Sequence, residues 1–123
     1  MKRVLHIFFL FTLCCGNIFG QQEKQVPEEL LEAIFSQIAE NREIEDFDQT
    51  EIMEDLYHFA QHPINLNATN KEELEKLHFL NDTQIENLLY YLYMYFPMEN
   101  IFELQLVEGF YKQDIRNLLP FVT

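Results

Sequence analysis

Three side chains with metal-binding chemistry recur at intervals of four residues near the middle of the chain: Glu54, His58 and His62. On one continuous helix this spacing would align them on one face, as in helical zinc sites. Pro63 opposes that arrangement, because the residue before a proline is biased away from helical backbone. We therefore predict a surface pair of histidines at a helix end and no metal site.

A second group of acidic and hydroxyl residues imitates a calcium-binding loop. Asp46, Asp48 and Thr50 follow the alternating spacing with which such a loop begins. The loop also needs glycine at its sixth position and glutamate at its twelfth, where this chain has Glu51 and Tyr57. The pattern does not predict calcium binding.

Nothing in the sequence predicts an enzyme or a cofactor site. The only serine, Ser36, is expected to be buried in a helix and has no histidine close by in sequence. The acidic pairs Glu28-Glu29 and Glu72-Glu73 fall at predicted helix starts, where the helix dipole favours negative charge. The only cysteines, Cys14 and Cys15, lie in a predicted leader segment.

Two amphipathic helices are expected in the acidic segment of residues 21–62. Pro27 suits the first turn of one of them, and the other runs from about Gln49 to Gln61. Their apolar stripes contain Leu30, Leu31, Ile34, Phe35 and Ile38 in the first helix and Ile52, Leu56, Phe59 and Ala60 in the second. We expect both stripes to pack against each other and against the rest of the chain. The alternative is a docking face for another protein.

Residues 64–122 predict a helix, a short turn and a helix, twice in succession. Asn70 with Glu73, and Asn81 with Gln84, have the spacing of reciprocal helix caps. The helix after Asn81 is expected to end at Pro97. A short helix over residues 101–104, a turn over residues 107–110 and a last helix over residues 114–119, closed by Pro120, complete the pattern.

The order of these residues resembles the tandem helix-hairpin-helix domain of the bacterial competence DNA-receptor (ComEA-like) family. The matching residues are Ile64-Asn65-Leu66-Asn67-Ala68, Glu72-Glu73-Leu74, Leu77, Phe96-Pro97-Met98, Glu103-Leu104, Val107-Glu108-Gly109 and Leu118-Leu119-Pro120-Phe121-Val122. The resemblance implies an all-α fold in residues 63–123, with four short helices and two hairpins. It also implies sequence-independent binding of duplex DNA through contacts to backbone phosphates.

The first hairpin departs from that family. There, glycines let the backbone N–H groups at a helix start approach one DNA phosphate. This chain has His78, Phe79, Leu80 and Asn81 instead. Phe79 would place a ring where the phosphate should lie, and Asp82 adds a like charge, whereas Asn81 tolerates the left-handed backbone of the family's last glycine. We expect a structural hairpin with Phe79 and Leu80 buried.

The second hairpin keeps more of the family pattern. Gly109 is retained, and Lys112 and Arg116 follow it, four residues apart on one helix face. These three residues are the candidates for holding a DNA phosphate. Glu108 and Tyr111 replace the lysine and glycine of the family, and the alternative is a plain turn that needs glycine only for its backbone geometry. A single site would neutralise one phosphate, whereas useful non-specific binding needs several.

Charge argues against a nucleic-acid partner. The formal net charge is −13. After residue 20 the chain has 6 basic and 21 acidic residues. Such a surface repels polyanions. Tyr90, Tyr91, Tyr93, Tyr95 and Phe96 could in principle stack on bases, but with so few cations nearby we expect core and interface packing. Of these rings, Tyr91 and Tyr95 share a helix face and are expected to be exposed.

Residues 1–20 have the composition of a signal peptide. Lys2 and Arg3 precede an apolar run over residues 4–15, which is shorter than the roughly 20 residues of a membrane-spanning helix. Cleavage after Gly20 would remove both cysteines and leave no membrane span in the mature chain. One alternative is an uncleaved helix, and another is a lipid anchor at Cys14 or Cys15, although neither follows the small residues that lipoprotein processing prefers.

Together these patterns predict an exported, non-catalytic protein of the periplasm or cell surface. The resemblance favours weak, non-specific binding of duplex DNA. Charge and hairpin composition favour a protein–protein or assembly module that keeps only the fold and binds an envelope protein. The chain is also compatible with the N-terminal part of a longer envelope protein.

Overall fold

The computed structural model describes residues 24–41 and 48–123, which form an all-α structure without a β-strand in those ranges. The α-helices are α1 (Glu28–Asn41), α2 (Gln49–Gln61), α3 (Lys71–Glu75), α4 (Asp82–Tyr95) and α5 (Lys112–Leu118). Short 3₁₀ helices span Leu66–Ala68, Ile101–Leu106 and Leu119–Phe121. The predicted signal peptide of residues 1–20 lies outside the described residues.

Helix α1 begins where Pro27 predicted it. The Pro27 carbonyl accepts the N–H groups of Leu30 and Leu31, each at 3.1 Å, and acidic residues occupy the first turn. Ile34 and Ile38 are fully buried, and the other members of the predicted stripe pack against the same core. Ser36 is exposed, so the expectation that it is buried is wrong. It lies between Phe35 and Gln37, off the line of the buried isoleucines.

Helix α2 has the predicted bounds and an N-terminal cap. The Asp48 carboxylate accepts the N–H groups of Thr50 and Glu51 at 3.0 and 3.2 Å. This cap accounts for Asp48 without a metal, and Asp46 lies outside the described residues. The predicted apolar face is buried along its length: Ile52, Leu56, Phe59 and Ala60.

Both acidic helices pack on the C-terminal half of the chain. Helix α1 contacts α5, and α2 contacts the 3₁₀ helix Leu119–Phe121. The two helices share one hydrophobic core with residues from α3, α4 and α5. The expected packing of both apolar stripes against the rest of the chain is therefore confirmed.

The start and end of the C-terminal half are joined through the backbone. Ile64 donates its N–H to the Phe121 carbonyl at 2.8 Å and accepts the Thr123 N–H at 2.8 Å. Leu66 donates to the Thr123 carbonyl at 3.1 Å. Ile64 and Val122 are both buried, so this parallel pairing holds the two ends of the segment together within the core.

The helix starts of the C-terminal half follow the predicted caps with one exception. Asn81 and Gln84 exchange both hydrogen bonds of a capping box, at 3.0 and 2.8 Å. Asn70 caps α3 by accepting the Glu73 N–H at 2.8 Å. The reciprocal bond at α3 was predicted wrongly, because the Glu73 carboxylate instead accepts the Thr69 hydroxyl at 2.7 Å.

Two later elements differ from the prediction in type or extent. The short helix expected over residues 101–104 is a 3₁₀ helix, Ile101–Leu106. Helix α5 begins two residues earlier than expected, because the Asp114 carboxylate accepts the Tyr111 N–H at 2.8 Å and caps the helix there. Pro120 lies inside the final 3₁₀ helix and does not directly close α5.

Within residues 24–41 and 48–123, the helices fall short of the length and apolar character that crossing a bilayer would require.

Candidate functional site

The first turn, residues 77–81, connects α3 to α4 and has its left-handed residue at an unexpected position. His78 has a φ of 66°, whereas Asn81 is extended with a φ of −83°. Asn81, which would tolerate a left-handed backbone, does not adopt one, because a side chain that caps a helix start requires extended backbone at its own position. The reversal of the chain therefore occurs three residues before the cap.

The aromatic residue of the first turn belongs to the core. The Phe79 side chain is fully buried, and its ring centroid lies 5.9 Å from that of Phe121. Leu80 is also buried, so the expectation of burial for both residues is confirmed. The Phe79 carbonyl, which remains at the turn, accepts a hydrogen bond at 3.0 Å from the Gln37 amide of α1.

His78 also ties the first turn to α2. Its Nε2 atom lies 2.6 Å from the Asp55 carboxylate. The side chains are 13% and 30% exposed, so the pair is shielded from solvent more than a surface ion pair. The two residues are 23 positions apart, and no local sequence pattern could have indicated their contact.

The second turn, residues 107–111, requires its glycine for conformation and not for space. Gly109 has a φ of 87°, and a Cβ built there would meet side-chain atoms of Asn87 and Gln84 only at 3.7 Å. Those two side chains hold the turn against α4. Gln84 donates to the Gly109 carbonyl at 3.0 Å, and Asn87 donates to the Glu108 carbonyl at 2.9 Å.

The candidate phosphate residues lie at the start and along one side of α5. Gly109 precedes the helix, Lys112 is its first residue and Arg116 lies one turn further on, with both cationic residues exposed. The Tyr111 N–H beside them is already bonded to Asp114. The structure therefore places the three predicted residues near one another, next to a carboxylate of the chain itself.

One side chain of α1 reaches both turns. Gln37 donates its amide to the Phe79 carbonyl of the first turn and, at 2.9 Å, to the Asp114 carboxylate beside the second. Its oxygen accepts the amide of Asn117 at 2.8 Å, and Asn117 is only 1% exposed. These contacts fix α1 against both turns, a role that sequence reasoning missed because the partners lie far along the chain.

The histidines of α2 form the surface pair that was predicted. His62 has a φ of −128° and so leaves the helical conformation, and its ring centroid lies 5.1 Å from that of His58. Both residues are exposed. Among the described residues, no group of three or more histidine, cysteine or acidic side chains is arranged to hold a metal ion.

The tyrosines of α4 divide into outward-facing rings and one half-buried ring. Tyr95 is exposed as expected, but Tyr91 is half-buried, so the prediction of its exposure is wrong. The Tyr91 hydroxyl donates to the Glu103 carboxylate at 2.9 Å. Partial burial and this carboxylate raise the pKa of Tyr91, and the hydrogen bond from Tyr91 lowers the pKa of Glu103.

No protein-family model, curated protein or solved structure matches the chain.

Proposed function

We propose that this chain is an exported, non-catalytic module with a tandem helix-hairpin-helix arrangement, and that it binds another envelope protein in place of duplex DNA. Two consecutive pairs of helical segments, each joined by a turn with one left-handed residue, support that arrangement. The order of α3, α4, Ile101–Leu106 and α5 follows the order implied by the resemblance.

The observation that carries the proposal is that the chain's own side chains bond N–H groups at the start of both α4 and α5. A hairpin that holds a phosphate needs such groups free to point at the ligand. At α4, Asn81 and Gln84 satisfy each other's N–H groups. At α5, the Tyr111 N–H is bonded to the Asp114 carboxylate, whose negative charge opposes an incoming phosphate.

The surface charge supports the same conclusion. The net charge of −13 repels a polyanion at long range. Near the two turns the chain has three carboxylates, Asp82, Glu108 and Asp114, against the two cations Lys112 and Arg116. Binding that neutralises a single phosphate is too weak to be useful at physiological salt.

Weak, sequence-independent duplex binding is the second candidate. It is favoured by the φ of 87° at Gly109, which matches the role of a hairpin glycine, and by the exposed Lys112 and Arg116 on the helix that follows. Displacement of the Asp114 carboxylate by a phosphate would be required for the Tyr111 N–H to take part.

A duplex-binding measurement distinguishes the two candidates. The full chain would be titrated into a fluorescent random-sequence duplex, between about 50 and 200 mM salt, with fluorescence anisotropy as the readout. Lys112→Glu is the test variant, and Lys71→Glu, an equal charge change at an exposed residue of α3, is the control.

The protein-binding proposal predicts no binding by the wild type at the low-salt end. Binding that weakens steeply with added salt, and that Lys112→Glu abolishes while Lys71→Glu leaves it in place, would overturn the proposal in favour of DNA.

A further inference from the structure

The most exposed aromatic and aliphatic side chains are concentrated in one stretch of the chain. Seven large apolar side chains in the described residues are at least 62% exposed, and six of them lie within residues 90–106. We call these six the aromatic surface: Tyr90, Tyr93, Tyr95, Phe96, Phe102 and Leu106. Monomeric proteins rarely leave such a group uncovered, and large exposed apolar patches mark interaction sites.

The two elements that carry the aromatic surface are joined by a direct contact. Tyr90 and Tyr93 are one turn apart on α4, on the side away from the buried Leu92. The Tyr95 ring lies 4.9 Å from the ring of Tyr91. Tyr91 in turn donates to Glu103 in the 3₁₀ helix that also carries Phe102 and Leu106. Tyr95 therefore lies on the side of α4 that meets the 3₁₀ helix Ile101–Leu106, while Tyr90 and Tyr93 are exposed on the outward side of α4.

The stretch of chain that carries this surface is negatively charged, and the cation Lys112 lies at its edge, in a cavity that it shares with Gln105. Between Leu77 and Tyr111 the chain has no lysine or arginine and five carboxylates: Asp82, Glu86, Glu99, Glu103 and Glu108. Glu86 is one helical turn from Tyr90, and Glu99 lies between Phe96 and Phe102 in sequence. Both glutamates are exposed.

This combination specifies the chemistry of a partner. Arginine is attracted to the faces of tyrosine rings and forms forked hydrogen bonds with carboxylates, and tyrosine and phenylalanine are enriched at the centres of protein interfaces. A nucleic acid would be repelled by the five carboxylates, and a second copy of a chain with net charge −13 would be repelled in the same way.

We propose that the aromatic surface binds a cationic segment of another protein, in which arginines alternate with apolar residues. The arginines lie on the tyrosine faces and pair with Glu86 and Glu99, and the apolar residues cover the rings of Phe96 and Phe102. This inference names the surface and the partner chemistry of the protein-binding function proposed above, and it rests on that function.

A model peptide provides the test. The probe is a fluorescent amphipathic peptide of about 16 residues, long enough for a helix to form, with arginine on its polar face and leucine on its apolar face. Matched peptides carry glutamine or glutamate in place of every arginine. Each is titrated with the full chain near 0.15 M salt, where only close charges act strongly because the screening length is about 8 Å.

The proposal predicts that the arginine peptide binds at least about tenfold more tightly than the glutamine peptide, a difference of about 1.4 kcal/mol. Tyr93→Ser and Phe102→Ser should each weaken binding about fivefold or more, the range of an interface contact that matters. Tyr111→Ser is the matched control, since Tyr111 is 76% exposed but lies outside the aromatic surface. Unchanged circular dichroism of the exposed-site variants shows that the fold is intact.

Charge reversal gives a second, independent measurement. The double variant Glu86→Lys with Glu99→Lys should weaken binding of the arginine peptide and improve binding of the glutamate peptide. Glu72→Lys with Glu75→Lys on α3 makes the same change in net charge away from the aromatic surface, and it should affect the two peptides far less.

Three results would overturn the inference. The first is equal binding of the arginine and glutamine peptides, and the second is unchanged binding by Tyr93→Ser with Phe102→Ser. The third is sedimentation that shows self-association lost in that double variant, which would assign the surface to a second copy. If any of these results is found and the chain does not bind duplex DNA, the proposed partner chemistry is wrong. The broader proposal that the chain binds a protein is then unaffected. Duplex binding sensitive to Lys112→Glu refutes that broader proposal instead.

Discussion

The Nε2 atom of His78 lies 2.6 Å from the Asp55 carboxylate, and this pair joins the turn between α3 and α4 to the acidic helix α2. His78 has a φ of 66° in the turn where it makes this contact. A left-handed backbone is unfavourable for a residue with a Cβ, at a cost of about 1–2 kcal/mol. The contact with Asp55 and the burial of the neighbouring Phe79 offset that cost.

The two roles of His78 can be separated by substitution. His78→Ala removes the contact with Asp55 and keeps a Cβ at positive φ, whereas His78→Gly removes the contact and relieves the backbone. We expect His78→Ala to lower the free energy of unfolding by about 2 kcal/mol and His78→Gly by about 1 kcal/mol less than that. Urea denaturation of both variants measures the difference. Equal losses would show that the left-handed backbone carries no cost.

Gly109 provides a simpler test of the second turn. A methyl group there would make only ordinary contacts at 3.7 Å, so the cost of Gly109→Ala should come from its φ of 87° alone. We expect a loss of about 1–2 kcal/mol in the free energy of unfolding. Glu108→Ala, at the neighbouring exposed position, should stay within about 0.5 kcal/mol of wild type. A loss at Gly109 no larger than at Glu108 would contradict the assignment.

Local sequence patterns predicted the elements whose causes are local. The bounds of α2 and the start of α4 follow from residues within one turn of each end, Asp48 and the Asn81–Gln84 pair. The buried stripes of α1 and α2 follow from apolar spacing. Such signals need no knowledge of the fold, because each helix end has to satisfy its own N–H groups.

The remaining features depend on distant partners, and the sequence did not indicate them. His78 takes the left-handed position because Asp55 and the core around Phe79 hold the turn there. Tyr91 is half-buried because Glu103, in another element, accepts its hydroxyl. In the candidate site, the predicted residues Gly109, Lys112 and Arg116 are near one another, but the Gln37 bridge to both turns was not foreseen.

Gln37 should contribute to stability through these bonds. Gln37→Ala removes partners from the Phe79 carbonyl, the Asp114 carboxylate and the Asn117 amide, of which Asn117 is buried. We expect a loss of about 1–3 kcal/mol in the free energy of unfolding, the cost of leaving buried polar groups unpaired.

Two further substitutions are compared with Gln37→Ala, one expected to be more destabilising and one expected to be neutral. Gln37→Glu places a carboxylate beside that of Asp114, and it should destabilise the chain at neutral pH more than Gln37→Ala does. Ser36→Ala, at the adjacent exposed position, should change stability by less than about 0.5 kcal/mol. Chemical denaturation compares all three, and a neutral Gln37→Ala would show that α1 does not depend on this bridge.

The hydrogen bond from Tyr91 to Glu103 should make stability depend on pH in two ranges. The pKa of Glu103 is lowered in the folded chain, so its contribution is fully present above the unfolded value of about 4.3 and is lost as pH falls through the folded pKa. The pKa of Tyr91 is raised, so its contribution is present below about pH 10 and is lost as pH rises through the folded pKa.

Tyr91→Phe removes the hydrogen bond that contributes most to lowering the pKa of Glu103. The pKa of Glu103, followed by carboxyl NMR titration, should rise toward its ordinary value but not reach it, because the N–H groups of Glu99 and Asn100 still donate to the same carboxylate. Tyr95→Phe is the control, since the Tyr95 ring contacts that of Tyr91 and its hydroxyl has no part in lowering the Glu103 pKa. If both variants left the pKa of Glu103 unchanged, the backbone N–H groups alone would account for its depression. The contact between α4 and the 3₁₀ helix would then rest on packing and not on this hydrogen bond.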